Sequence, residues 1–247
     1  MSRTFGTAER IRPIYAAIRS VPIPTKGSDQ GPPHHAAEPF ITISRQCGAG
    51  AWTLAQQLVP ALNALDPAGR PWTCWDRELV SKVATDYHIP QHMVEALGEA
   101  NYSWLADMLG SLSYADSPAQ AEEARIYARV ANTIRTLAQS GRVIIVGRGG
   151  VFITRRMPGG LHVRLVAPFE QRVAFMARQL NLSERAATRH VREADHAREA
   201  FYRRHWPGES LAPETFDMVL NTAQLDTDAL IQVIVAVVRA RLPVRAA

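Results

Sequence analysis

Ile41-Thr-Ile-Ser-Arg-Gln-Cys-Gly-Ala-Gly-Ala-Trp-Thr-Leu54 is the stretch on which the fold turns. With Phe40, its first residues form a short β-prone run. Leu54, Leu58, Ala61, Leu62 and Leu65 then recur at helical spacing, which predicts a helix over Thr53 to Leu65. Between the two, Gly48 and Gly50 permit backbone angles and close approaches that side chains forbid. The N–H groups of such a turn, and of the helix start behind it, can face an anion. An ordinary tight turn is the competing reading of the same residues.

The same alternation continues down the chain. Trp72-Thr-Cys-Trp75 leads to Asp76 and a helix expected from Arg77 to about Tyr87, and a further helix is expected from about Ala119 to Gln139. Arg142-Val-Ile-Ile-Val-Gly147 is the strongest strand signal, apolar at successive positions as in a strand covered on both faces. Leu161 to Val166 is the next strand, and Pro168 opens a helix at a position where its missing N–H does no harm. Ser183 reads as the N-cap of an Arg-rich helix to about Arg204. Thr215 to Leu220 reads as a last strand, and Asp226 or Thr227 caps a final helix to about Arg241. Strands alternating with helices predict a three-layer α/β fold with a mainly parallel sheet and right-handed crossovers. Residues 1–38, broken by Val21-Pro-Ile-Pro and Gly31-Pro-Pro, read as an extension and linker, and residues 39–247 as one domain.

Composition narrows the partners. The net charge of +5 is too small an excess to require nucleic acid, but among 28 basic residues only Lys26 and Lys82 are lysines. Arginine's planar fork suits bidentate contact with phosphate, and a GC-rich genome favouring Arg codons would give the same count. Cys47 and Cys74 stand in no metal or disulfide spacing, and His88 and His92 are separated by Pro90 with no third ligand evident. No run approaches the roughly 18 apolar residues of a membrane span, and the N-terminus has no secretory pattern. A soluble, cytoplasmic protein is expected.

Several residues then qualify for a phosphate site. In the usual phosphate loop a lysine follows the last glycine; here Ala51 stands there, and Thr53 takes the position of the Mg²⁺-binding hydroxyl. Arg45 could supply the missing charge, or face solvent. Arg148, in Val146-Gly-Arg-Gly-Gly150 at the end of the strongest strand, should point into the crevice where open parallel sheets bind ligands. Arg185, Arg189 and Arg192 share one helical face, and with Arg198 they could form a charge clamp that closes over a transferred phosphoryl group. A solvated helix surface is the alternative. Trp52 could stack on a base, although its size favours a core-facing position.

Taken in order, Ile41-Thr-Ile-Ser-Arg-x-x-Gly-Ala-Gly50, Trp75-Asp-Arg-Glu-Leu-Val80, Ile145-Val-Gly-Arg-Gly149, Leu161-His-Val-Arg-Leu-Val-Ala-Pro-x-x-x-Arg172, Arg192-x-x-Asp-x-x-Arg198 and Phe216-Asp-Met-Val-Leu-Asn-Thr222 resemble the cytidylate kinase-like family. The resemblance covers residues 39 to about 242. It implies a P-loop nucleoside monophosphate kinase fold, with a helical monophosphate-binding insertion at about 77–118 and a helical lid at about 181–204. It implies ATP and Mg²⁺ as cofactors and a pyrimidine nucleoside monophosphate, CMP or dCMP, as acceptor. By position Ser44, Gly48, Ala49, Gly50, Ala51, Trp52 and Thr53 would line the ATP phosphates, with Thr53 also toward the metal. Asp76, Arg77, Arg148 and Asp195 would serve the acceptor, and Arg45, Arg148, Arg192 and Arg198 the transfer itself. Two departures stand out: Ala51-Trp-Thr53 replaces the Lys-Gly-Thr of true cytidylate kinases, and Gly149 replaces their base-recognising Asp. A catalytically weak nucleotide-binding regulator, or a kinase for another small phosphate acceptor, is therefore the alternative.

Overall fold

The computed structural model describes residues 38–76 and 118–242. The expected linker up to residue 37, the helix expected from Arg77, Arg77 itself, His88, His92 and the expected insertion over 77–117 lie outside the described residues.

Five strands, β1 (Phe40–Arg45), β2 (Thr73–Trp75), β3 (Val143–Val146), β4 (Gly160–Val166) and β5 (Met218–Asn221), form one sheet in the order β2-β3-β1-β4-β5. Every pairing is parallel. β1 is central because its residues can be buried on both sides. Ile41 and Ile43 face one helical layer, where α1 (Ala51–Asn63) contributes Leu54, Leu58 and Leu62 and the C-terminal α6 (Thr227–Arg241) contributes Leu230, Ile234 and Val238. Phe40 faces the other layer with Val143, Ile145 and Trp75, under Tyr127, Val130, Ile134 and Leu137 of α2 (Pro118–Ser140). Each fully buried Leu or Ile of these helices stabilises the fold by about 1.5–3 kcal/mol. Helix, sheet, helix is the three-layer α/β arrangement expected.

Between the strands lie α3 (Gly150–Thr154), α4 (Phe169–Leu180) and α5 (Glu184–His205). Ser183 caps α5, its hydroxyl accepting from the Ala186 N–H, and Asp226 caps α6, accepting from the Ala229 N–H at 2.8 Å.

Three boundaries move, each for a local reason. α1 begins at Ala51, two residues early, because Gly50 with φ +70° serves as its N-cap. β3 begins at Val143, because Arg142 has φ +52° and spends its guanidinium on Asp66, Glu38 and the Arg70 carbonyl. The last strand is shorter than expected. Pro213–Thr215 forms a 3₁₀ turn, and the Asp217 carboxylate accepts from the His162 N–H at 2.7 Å, so the ladder with β4 starts only at Met218.

Candidate functional site

The chain leaves β1 through Gln46, whose side-chain carbonyl accepts from the Ala167 N–H at 3.0 Å and so ties the turn to the end of β4. Gly48, at φ +80°, packs so closely on α4 that an added Cβ would lie 2.5 Å from the Arg172 carbonyl oxygen. Gly50 is different: at φ +70° it faces open space, with nothing within 4 Å of where a Cβ would stand. As an N-cap without a side chain, Gly50 leaves the first N–H groups of α1, at Ala51, Trp52 and Thr53, without a capping acceptor. No acidic residue occupies that first turn. The helix dipole and these N–H groups make the open side of Gly50 an anion-binding surface.

The side chains around the turn divide cleanly. Ser44, Ala49 and Ala51 are buried, and Ala51 packs in the α1 face of the core with Leu54 and Val146. Thr53 is exposed, and so is Trp52 at 39%, which corrects the expectation of a core-facing indole. Arg45 crosses to the end of β3: a Cβ on Gly147 would lie 1.9 Å from its Nη1, so the guanidinium rests on that glycine, beside Arg148. Asp76 follows β2 at the same carboxyl edge of the sheet and is half-buried.

Asp195 on α5 joins three elements. Its Oδ1 accepts from the Cys47 N–H at 2.7 Å and from Arg198 Nη1 at 3.1 Å, while Oδ2 accepts from Arg172 Nη1 at 2.5 Å. Arg172, only 6% exposed, also donates to the Cys47 carbonyl at 3.1 Å and, through Nε, to the Ala167 carbonyl at 3.0 Å. One carboxylate thus grips a turn N–H and two guanidiniums, binding α5 and α4 to the glycine turn. The resemblance gives Asp195 to the acceptor, and in the fold its carboxylate is bonded to Arg198, Arg172 and the turn. In the sequence Arg172 stands only as the end of the Leu161–Arg172 motif, and its place one turn into the helix that Pro168 opens is the local sign of its role.

The row formed by Arg185, Arg189 and Arg192 does not converge on this network. Arg185 is exposed, Arg189 lies 4.0 Å from Glu193 on the solvent side, and Arg192 is exposed with its guanidinium 5.4 Å from the Phe169 ring centre. That face of α5 points outward because Ala187 and Val191 hold the opposite one against Cys47 and Val173.

Arg148 takes a left-handed backbone, φ +56°, and its carbonyl accepts from the Tyr127 hydroxyl at 3.2 Å. Burial pushes the Tyr127 phenol well above its ordinary value, Tyr202 adds to this and Arg148 opposes it, so Tyr127 stays a neutral donor. Gly149, φ +69°, lies beneath the indole of Trp206: a Cβ there would come within 1.9 Å of the ring. Trp206 ends α5 in a set of rings, with Phe152 at 5.0 Å and Tyr127 at 5.6 Å, while Tyr127 stacks on His205 at 4.0 Å. Gly149 therefore makes room for the Trp206 ring at the position where true cytidylate kinases carry an Asp.

Arg164, on the same face of β4 as His162, completes the set. It is half-buried, 5.4 Å from the Phe216 ring centre. Burial lowers its pKa, and the nearby Tyr202 and Asp195 offset part of that. Among the described residues no group of three His, Cys, Asp or Glu side chains could hold a metal, and no helix is long and apolar enough to cross a membrane.

Known proteins bear on this arrangement as follows. The chain is 17% identical to an uncharacterised protein from Eubacterium ventriosum whose crystal structure superposes with a TM-score of 0.60, covering 82% of this chain and 99% of that one. That likeness establishes a shared fold. A shikimate kinase from Acinetobacter baumannii, crystallised with shikimate, superposes at a TM-score of 0.45 with 15% identity over 83% of this chain and 95% of that one, too loosely to carry an argument. A uronate isomerase from Corynebacterium glutamicum is 26% identical over 143 residues, 57% of this chain, and the chain spans only 28% of that protein's length. The cytidylate kinase-like family model matches residues 40–224, from the start of β1 to just past β5. The glycine turn, the Arg148 turn and the Asp195 network all fall inside that match, and the chain belongs to the cytidylate kinase-like family.

Proposed function

We propose that the protein transfers the γ-phosphoryl group of ATP to a small phosphorylated acceptor, a pyrimidine nucleoside monophosphate such as CMP or dCMP being the first to test. The observation that carries this reading is the open, uncapped N-terminus of α1 beside guanidiniums gathered at the carboxyl ends of β1, β3 and β4. The N–H groups of Ala51, Trp52 and Thr53 would hold the donor's phosphates, and the exposed Thr53 hydroxyl would share Mg²⁺ with the donor's own oxygens. The nucleotide with its metal supplies the transferable group and neutralises its charge. Arg45 replaces the absent lysine, reaching the phosphates from the Gly147 side. Arg148 orients the acceptor phosphate, with Asp76 toward the rest of the acceptor.

Residues 181–204, with α5 as their body, act as the lid. Arg192 and Arg198 move with it, and Asp195 holds it against the turn. No general base is needed, because positioning and fixed positive charge stabilise a loose phosphoryl-transfer transition state. A coupled ADP-release assay over CMP, dCMP, UMP, AMP and a blank without acceptor tests the reading: acceptor-dependent release supports it, and none with any acceptor refutes it.

A nucleotide-binding regulator that turns over little is the second reading, favoured by the core-packed Ala51 at the lysine position. ATP binding by calorimetry without ADP release would establish it.

A further inference from the structure

β4 reads Leu161-His-Val-Arg-Leu-Val166, and the apolar alternates Leu161, Val163 and Leu165 enter the core against α1 and α6. The opposite face carries His162, held by Thr42 at 2.8 Å, and then Arg164, in register with the buried Ser44 of β1. A purely structural arginine at this depth would be expected to hold an acceptor at bonding distance, as Arg142 and Arg172 both do. Arg164 has a ring beneath it and Tyr202 and Asp195 within electrostatic reach, but no hydrogen bond or ion pair to any described residue. Asp195 cannot balance the region. Its carboxylate already serves the Cys47 N–H, Arg172 and Arg198, so among the described residues it leaves Arg164 without an acceptor at bonding distance. A half-buried charge of this kind is completed by an anion from outside.

The neighbours say where that anion sits. Tyr202 acts electrostatically on both Tyr127 and Arg164, and Tyr127 is in turn within reach of Arg148. The packing agrees: Arg164 lies over Phe216, which shares one cluster with Tyr202 and Trp206, and Trp206 lies over Gly149, next to Arg148.

We propose that Arg164 is a specificity-determining residue: it binds a second anionic group, a carboxylate or phosphate, on the acceptor whose first phosphate Arg148 holds. This rests on the acceptor site of the proposed function and narrows its substrate class. A neutral base finds no carboxylate at Gly149 to recognise it, whereas a two-headed anion meets a guanidinium at each end.

The test uses the full chain and two matched pairs of probes: glycerol 3-phosphate against 3-phosphoglycerate, which adds a carboxylate, and CMP against cytidine 3′,5′-bisphosphate, which adds a phosphate. Dissociation constants are measured by calorimetry for the wild type, Arg164→Gln and Arg164→Lys, with melting temperatures alongside. The wild type should favour the second member of at least one pair by about tenfold or more, the scale of one charge-assisted hydrogen-bonded contact. In Arg164→Gln that ratio should fall to near one. If Arg164→Gln does not fold, Arg164→Lys carries the test, because an ammonium keeps the charge but loses the fork and should cut the ratio several-fold. Equal wild-type affinity within both pairs, or an unchanged ratio in the folded variants, overturns the proposal. Wild-type ADP release separates the two ideas. Release with CMP but no preference within the pairs sinks this inference alone, whereas an Arg164-dependent preference without ADP release sinks the kinase reading alone.

Discussion

Replacing Asp195 by Ala should both destabilise the protein and release α5 from the glycine turn. Arg172 has a side-chain exposure of 7% and Asp195 of 26%, so the substitution strips a buried guanidinium of its only carboxylate at bonding distance among the described residues. Removing one partner of a fully buried pair costs about 3–5 kcal/mol. Two features reduce that here: Asp195 is a quarter exposed, and Arg172 keeps the Cys47 and Ala167 carbonyls. A loss of about 2–3 kcal/mol is expected. At about 2–4 °C per kcal/mol for a domain of this size, the melting temperature should fall by roughly 5–10 °C. Calorimetric melting gives the first number, and amide hydrogen exchange gives a local one, because the Cys47 N–H loses its 2.7 Å acceptor and should exchange faster than its neighbours. A double variant with Arg172→Met should recover part of the loss, since no unpaired charge is then left behind. If Asp195→Ala melts within about a degree of the wild type and Cys47 keeps its protection, the carboxylate is not the tie between α5 and the turn, and the reasoning fails.

Gly149→Ala should cost about 1–3 kcal/mol, because φ +69° and the Trp206 ring both oppose a Cβ; Trp206→Ala in the same chain should relieve the steric part, and additive losses in denaturant melts would contradict the contact. Arg148→Ala should weaken acceptor affinity, whereas Arg198→Ala should depress turnover more than ATP affinity; wild-type kcat and KM in both would remove them from the site. Burial lowers the His162 pKa, with Asp217 opposing and Arg241 adding to it, so the fold favours the neutral ring. The stability this gives is present above the unfolded value of about 6.5 and is lost as pH falls from there through the folded value. Denaturant midpoints between pH 5 and 7 should therefore drop on acidification, and His162→Gln should flatten that slope; an equal slope in both would assign it elsewhere.

How much of this was legible in the sequence depends on the range of the physics involved. Strands and helices follow from periodicity within a dozen residues, so β1, β3, β4 and the two capped helices α5 and α6 were readable from Phe40, Val143, Leu161, Ser183 and Asp226 onward. Boundaries failed where one side chain was committed far away: Arg142 to Asp66 across 76 residues, and Asp217 to the His162 N–H across 55. The candidate site divides in the same way. Gly48, Gly50 and Arg148 announce themselves by local motif, but the tie between Asp195 and the Cys47 N–H joins residues 148 apart and shows only in the fold. Arg185, Arg189 and Arg192 show how little a charge row by itself says about where its face will point. A row of like charges on one helical face looks like a clamp, yet repulsion and solvation favour turning such a row to water, and the apolar Ala187 and Val191 decide which face turns in. The two arginines drawn furthest into the fold beside this network, Arg164 and Arg172, stand singly beside apolar residues in the sequence. An isolated charge where the pattern calls for an apolar residue was the better sign of a site than a charge among its own kind, because only a partner or a ligand offsets the cost of burying it.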